Sequence, residues 1–212
     1  MEDKLEYNED YKENFTERSL VDKNYTKEEL ELRMYFFVPY NISPIQQAIQ
    51  AGHASLEYVR LHGLTEEFND FVANWKTWII LNGGTTNERR DFEGIVMGSL
   101  NQVADDLLAN DIKFGYFQEP DLNDALTAVC FICDERVFNR KDYPDFIDFI
   151  FDIKMYPEAK EATPKENYVM LKMQSMENLQ QMFPEYYKEW VRFVGGVKNV
   201  FLRELIRDKK LA

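Results

Sequence analysis

Hydrophobic residues along this chain alternate between two kinds of pattern. Met34-Tyr35-Phe36-Phe37-Val38-Pro39-Tyr40 is short, aromatic and continuous, the mark of a strand buried on both faces. After the turn at Asn41-Ile42 the pattern becomes helical, with Ser43 as N-cap, Pro44 at the first position and Gln46 at the third. Ile45, Ala48, Ile49, Gly52, Leu56 and Val59 form one apolar side as far as about Leu61, where Gly63 can end the helix. This side is expected to face the sheet, with Ala48, Ala51 and Gly52 permitting close approach. Gln46, Gln50, His53 and Glu57, spaced 4, 3 and 4 apart, line one polar edge. A second helix is expected from Thr65 to about Asn74, with Phe68, Phe71 and Val72 inward. Thr77 to Asn82 is a second strand, and Gly83 to Gly98 reads as a long loop. Ser99-x-x-Gln102 is a capping box opening a helix to about Asn110. Lys113 to Gln118 and Ala125 to Cys133 are the third and fourth strands.

The resulting order, β-α-α-β-α-β-β with a tight final hairpin, predicts an α/β fold with a mixed four-stranded sheet covered by helices. The chain divides into an N-terminal acidic arm over residues 1–33, the α/β unit over 34–135, and a helical, aromatic-rich C-terminal extension over 136–212. Thr26-Lys27-Glu28-Glu29 offers the arm a helix start. In the extension, Tyr143 to Ile153 is apolar enough to pack on the α/β unit, Lys154 to Pro164 is a polar connector, and Gly195-Gly196 separates two helices.

Composition narrows the class of protein. The chain has 212 residues, 45% of them hydrophobic and 15% aromatic, enough for a sizeable core. The longest apolar run, Ala125 to Cys133, is far shorter than a membrane span, and the acidic start lacks the apolar stretch of a leader peptide. Cys130 and Cys133 form a C-x-x-C, but inside a strand they point to opposite faces. No second Cys or His pair completes a zinc site, so two buried thiols in a reducing, cytoplasmic compartment are expected. The net charge of −13 opposes non-specific nucleic-acid binding. From Glu185 onward seven basic residues face four acidic ones, so that segment carries +3 and the rest −16.

Two segments carry the chemistry. The first is Ser43 to Ala54, with Gln46, Gln50 and His53; the second is Phe117 to Val129, with Gln118, Glu119, Asp121 and Thr127. Together they resemble the signature regions of the peptidyl-tRNA hydrolase 2 family, over about Met34 to Glu135. Gln50, His53 and Ala54 match the family's Gln-x-x-His-Ala. Gln118-Glu119 stands where the family has Gln-Asp, and Thr127 stands on the following strand. Gln46 occupies the place of the family's catalytic lysine. The Pro-x-Gln-Gln start of the helix is similar to a divergent branch found in bacteria and phages. The resemblance implies hydrolysis of the ester between a peptide and tRNA; no cofactor is expected, and the carboxylates of Glu119 to Asp124, which match no EF-hand spacing, are not expected to hold a metal.

In chemical terms, ester hydrolysis needs a positioned water, a proton acceptor and an oxyanion stabiliser. Glu119 or Asp121 can accept the proton, Thr127 can orient the water or ester, and the Gln46 amide can donate to an oxyanion. Gln50 and His53 are candidate substrate contacts, as are Arg89 and Arg90 toward phosphate. Each also has a structural role open to it. Gln46 fits the third position of a capping box, and His53 fits a hydrogen-bonded packing residue. His62 complements a helix dipole, Glu119 to Asp124 is a turn, and the arginines suit a solvated loop. Gly83-Gly84-Thr85-Thr86 suits a plain turn better than a phosphate loop. The terminal helix, with Arg203, Arg207, Lys209 and Lys210, can grip RNA, dock on its own domain or dock on a twin subunit, giving a homodimer. Two functions compete: an esterase acting on peptidyl-tRNA, and a binding protein of the same fold that engages a protein partner through its acidic surface or extension.

Overall fold

The computed structural model describes residues 30–86, 89–91, 94–96, 98–154 and 165–212. The acidic arm up to residue 29, with its Thr26 capping box, and the connector over 155–164 lie outside the described residues. The elements run β1 (Leu32–Pro39), α1 (Pro44–His62), α2 (Glu66–Asp70) continued by a π-turn (Phe71–Trp75), β2 (Thr77–Gly84), β3 (Arg89–Asp91) and β4 (Gly94–Val96). They continue with α3 (Ser99–Ala109), β5 (Phe114–Glu119), β6 (Ala125–Asp134) and α4 (Glu135–Phe138). Next come α5 (Phe146–Asp148) with a π-turn (Phe149–Lys154), α6 (Lys165–Lys172), α7 (Met176–Met182), α8 (Pro184–Phe193) and α9 (Val197–Ile206).

A four-stranded mixed sheet in the order β2-β1-β6-β5 forms the centre, with β1 parallel to β2 and antiparallel to β6. β1 and β6 are the inner strands, and both are near-continuous apolar runs because both faces of the sheet are covered. On one face Met34, Phe36, Val38, Ala128, Cys130 and Ile132 pack against Ala51, Ala54 and Tyr58 of α1 and against Phe71. On the other, Tyr35, Phe37, Val129, Phe131 and Cys133 pack against Leu100, Val103 and Leu107 of α3 and Leu202 of α9. Cys130 and Cys133 thus lie on opposite faces as free, buried thiols. Burial pushes Cys130 up to about 12 and raises Cys133 as well.

α1 turns a different side to the sheet from the one its large apolar residues predict. The buried residues are Gln47, Gln50, Ala51, Ala54 and Tyr58, while Ile45, Ile49, Leu56 and Val59 are exposed. Two features outweigh the bulk of the isoleucines. The Gly115 backbone comes so close that a Cβ there would lie 2.7 Å from both the Ala54 carbonyl oxygen and the Tyr58 nitrogen. The absence of a side chain at Gly115 is what lets the helix backbone at Ala54 and Tyr58 come this close, and Ala51 and Tyr58 are buried on the same side. The glutamines on the same side find fixed partners, Gln47 donating to the Pro39 carbonyl at 3.1 Å.

Three smaller expectations change. Val72 is exposed, because neighbouring helical residues point in different directions and Phe71 takes the inward one. Ser99 does not cap α3. Gly98 does, and the Ser99 hydroxyl ties down the end of β2 through Gly83 O and Thr85 N. The expected long loop is partly ordered: β2 reaches Gly84, and β3 and β4 pair as an antiparallel ladder.

The C-terminal extension has its own core of Phe146, Phe149, Ile150, Leu179, Trp190 and Val194. Positive φ at Gly195 and Gly196 turns the chain from α8 into α9. α9 then docks on the sheet, where Phe201, Leu205 and Ile206 join Leu202 in the second face's core. Arg203 is fully buried, donating to the Arg136 carbonyl at 2.5 Å and to Asp145 at 2.7 Å. Arg140 meets the same carboxylate at 2.6 Å. The terminal helix docks on its own domain, and Arg203 is buried in that contact while Arg207, Lys209 and Lys210 stay exposed. Beyond α9, Leu211 bridges Leu81, and Asn82 and Ala212 donate to Lys210 and Ile80, so the open edge of β2 is partly covered.

Two predictions follow from the packing. Gly115→Ala pushes α1 off the sheet and lowers unfolding free energy by about 1–3 kcal/mol, read by urea denaturation. Burial opposes the charge on Asp145, but Arg140, Arg203 and Arg207 outweigh it and hold the carboxyl below its ordinary value. A depressed folded pKa stabilises above the unfolded pKa and is lost as pH falls through the folded value. Asp145→Asn therefore lowers stability by about 1–3 kcal/mol at neutral pH, and the gap from wild type narrows below about pH 4. Denaturation across an acid pH series measures both.

Candidate functional site

The two chemistry-bearing segments meet at the end of the sheet where β5 turns into β6. Gln50 comes from the middle of α1, Glu119 from the last position of β5, and Thr127 from near the start of β6. The Thr127 hydroxyl donates to Gln50 Oε1 at 2.6 Å, and Gln50 Nε2 donates to Glu119 Oε2 at 2.7 Å. A carboxylate can only accept, so the amide nitrogen must face Glu119 and the amide oxygen must face the hydroxyl. The chain of donors therefore has a fixed direction, from Thr127 through Gln50 to Glu119.

A β-bulge makes this possible. Phe117 pairs with Ala128 and Gln118 with Leu126, leaving Thr127 as the extra residue. Strict alternation from Cys130 would put Leu126 toward α1 and Thr127 on the opposite face. Instead Leu126 joins the α3-side core and Thr127 reaches Gln50. The bulge also sets the Thr127 hydroxyl 3.3 Å from the Phe117 carbonyl, a second acceptor for its one proton.

The other predicted residues divide. The His53 ring stacks on Phe117 with centroids 4.4 Å apart and is half-buried beside the chain. Gln46 forms the capping box: its Oε1 accepts from the Ser43 nitrogen and hydroxyl at 3.0 Å, and its own N–H donates to Ser43 Oγ. Asp121 is exposed in the 3₁₀ turn Pro120–Leu122, outside the hydrogen-bonded chain. Left-handed Asn123 and Asp124 complete that turn. Arg89 and Arg90 lie in β3, and their side chains are outside the described residues. Thr127 is 1% exposed, and its hydroxyl is turned to Gln50. His62 ends α1 with Nε2 3.2 Å from the Phe114 carbonyl oxygen.

Phe117 is the participant the residue pattern missed. It supports His53 and accepts from Thr127, yet nothing local separates it from the other aromatics of β5. Among the described residues, no group of three His, Cys, Asp or Glu side chains can hold a metal ion. No helix among the described residues is long and apolar enough to cross a membrane. No protein-family model matches the chain, and no curated protein matches it.

Thr127→Val removes the hydroxyl and leaves Gln50 Oε1 buried without its donor. The expected loss is about 1–3 kcal/mol of stability, with Thr127→Ser largely retaining it. Thermal unfolding of the two variants makes the comparison.

Proposed function

We propose that this protein is an ester hydrolase of the peptidyl-tRNA hydrolase 2 type, acting on peptidyl-tRNA or a related aminoacyl ester. The observation that carries the reading is the directed chain from Thr127 through Gln50 to Glu119. A proton acceptor held by a second group, itself held by a third, is the arrangement general-base chemistry uses. Glu119 is the only one of the three that reaches the surface.

In this reading Glu119 takes a proton from water as the water oxygen attacks the ester carbonyl. The tetrahedral intermediate collapses with cleavage of the bond to the ribose oxygen, which leaves carrying the proton that Glu119 took from the water. Gln50 fixes the carboxylate and Thr127 fixes Gln50. Gln46 commits its amide oxygen to the helix cap, so its amide nitrogen is the group it can offer an oxyanion. A neutral amide stabilises that charge less than a lysine does, which implies slow turnover. His53, stacked on its Phe117 platform, is the proposed contact for the substrate. Arg89 and Arg90 are the proposed phosphate contacts.

The second reading is a binding protein that kept this fold. The Gln46 cap and the net charge of −13 favour it. Its partner would be a protein, engaged through the acidic surface or the C-terminal extension.

Incubation with purified peptidyl-tRNA separates the two. Wild-type protein is expected to release tRNA, and Glu119→Gln to slow release by about 10²–10⁴-fold. No release at high protein concentration, with a known hydrolase active in parallel, would overturn the esterase and leave the binding protein.

A further inference from the structure

α1 is apolar on two opposite sides. One is buried on the sheet through Ala51, Ala54 and Tyr58. The other carries Ile45, Ile49, Leu56 and Val59, which are 75%, 50%, 66% and 43% exposed. With Gly52, these positions repeat at 4, 3, 4 and 3 residues, the spacing of a coiled-coil seam. A contiguous exposed stripe of large aliphatic side chains marks an interaction surface.

We infer that this stripe is a self-association face, on which α1 of one copy packs antiparallel against α1 of a second copy across a two-fold axis at Gly52. Three observations select a second copy. The stripe is self-complementary about Gly52: Ile45 lies seven residues before it and Val59 seven after, so each meets the other across the axis. Leu56, four residues after, meets Ala48, four before, with Ile49 alongside. This matches the same-patch-to-same-patch contact that a two-fold dimer requires.

The axis position is also open. A Cβ on Gly52 would meet no atom within 4 Å, and Ala48 is exposed beside it, so a second helix can approach closely. Finally, the stripe avoids the charge of the molecule. Between residues 40 and 65 the only acidic side chain is Glu57 and the only Lys or Arg is Arg60. Two chains of net charge −13 repel unless they meet on neutral ground, and α1 provides it. A nucleic acid would need a basic face there. A contact made by one helix per copy buries less than an obligate dimer does, so dissociation in the micromolar range is expected.

Sedimentation velocity of the full chain over a micromolar concentration series tests this. Wild type is expected to move from monomer to dimer, and Ile49→Glu and Leu56→Glu to stay monomeric with unchanged circular dichroism. Gly52→Cys is expected to form a covalent dimer on mild oxidation, because a helix crossing at Gly52 brings the two thiols within bonding range. Cys130 and Cys133 are buried and do not compete. A wild-type monomer throughout would overturn the inference, including the case in which residues 1–29 cover the stripe. A dimer unaffected by Ile49→Glu, or absence of the Gly52→Cys cross-link, would overturn it too. If instead Ile49→Glu leaves a wild-type monomer unchanged in mass but abolishes binding to a different protein, the stripe belongs to that partner.

Discussion

The approach of Gly115 to α1 sets much of the rest. A backbone without a side chain lets the helix settle directly on β5 and β6, with Ala54 and Tyr58 at the point of contact. The Cys130 thiol adds a contact to the Ala54 carbonyl at 3.3 Å on the neighbouring strand. Once Ala54 is fixed on the sheet, helical geometry decides the other positions. Gln50, one turn earlier, lies over the start of β6, and Ile49 and Leu56 turn away to the solvent. The candidate site and the exposed stripe are therefore two consequences of one packing decision.

The extension depends on a comparable constraint of a different kind. Arg203 is charged and fully buried, a placement tolerated only with partners. Burial and the neighbouring Arg140 and Arg207 lower its pKa to about 10, with Asp145 opposing, so it remains charged at neutral pH. Its contacts to Arg136 O and Asp145 link α9, α4 and the start of α5. A hydrophobic residue would satisfy the core as well. What the ion pair adds is register, because α9 can slide along an apolar surface but cannot leave Asp145 without stranding a charge.

Much of the α/β unit was legible in the residues. Continuous apolar runs marked β1 and β6, alternation placed Cys130 and Cys133 on opposite faces, and Ser43, Thr65 and the Gly195-Gly196 pair located helix ends. The sheet-facing side of α1 was not legible. Hydrophobicity favoured the isoleucines, while the deciding contact was steric and lay some sixty residues away in Gly115. Gln50, Glu119 and Thr127 were recognised as a group, but their geometry depends on a bulge at which no glycine or proline announces itself. Gln46 shows the opposite case: its local capping role was visible in the spacing and is the role it adopts.

The two sides of α1 also bear on each other. Gln46 and His53 lie between the buried side and the exposed stripe, on the same helical edge as Gln50. A second helix seated on Ile49 and Leu56 would run beside this edge and narrow the approach to Glu119. It would also exclude water from around a carboxylate whose partner is a neutral amide, strengthening every polar contact there. On the proposed esterase reading, lowering the local dielectric makes the neutral amides of Gln46 and Gln50 more effective. On the two proposals together, assembly and chemistry are not independent: the copy that covers the stripe also shapes the surroundings of Glu119.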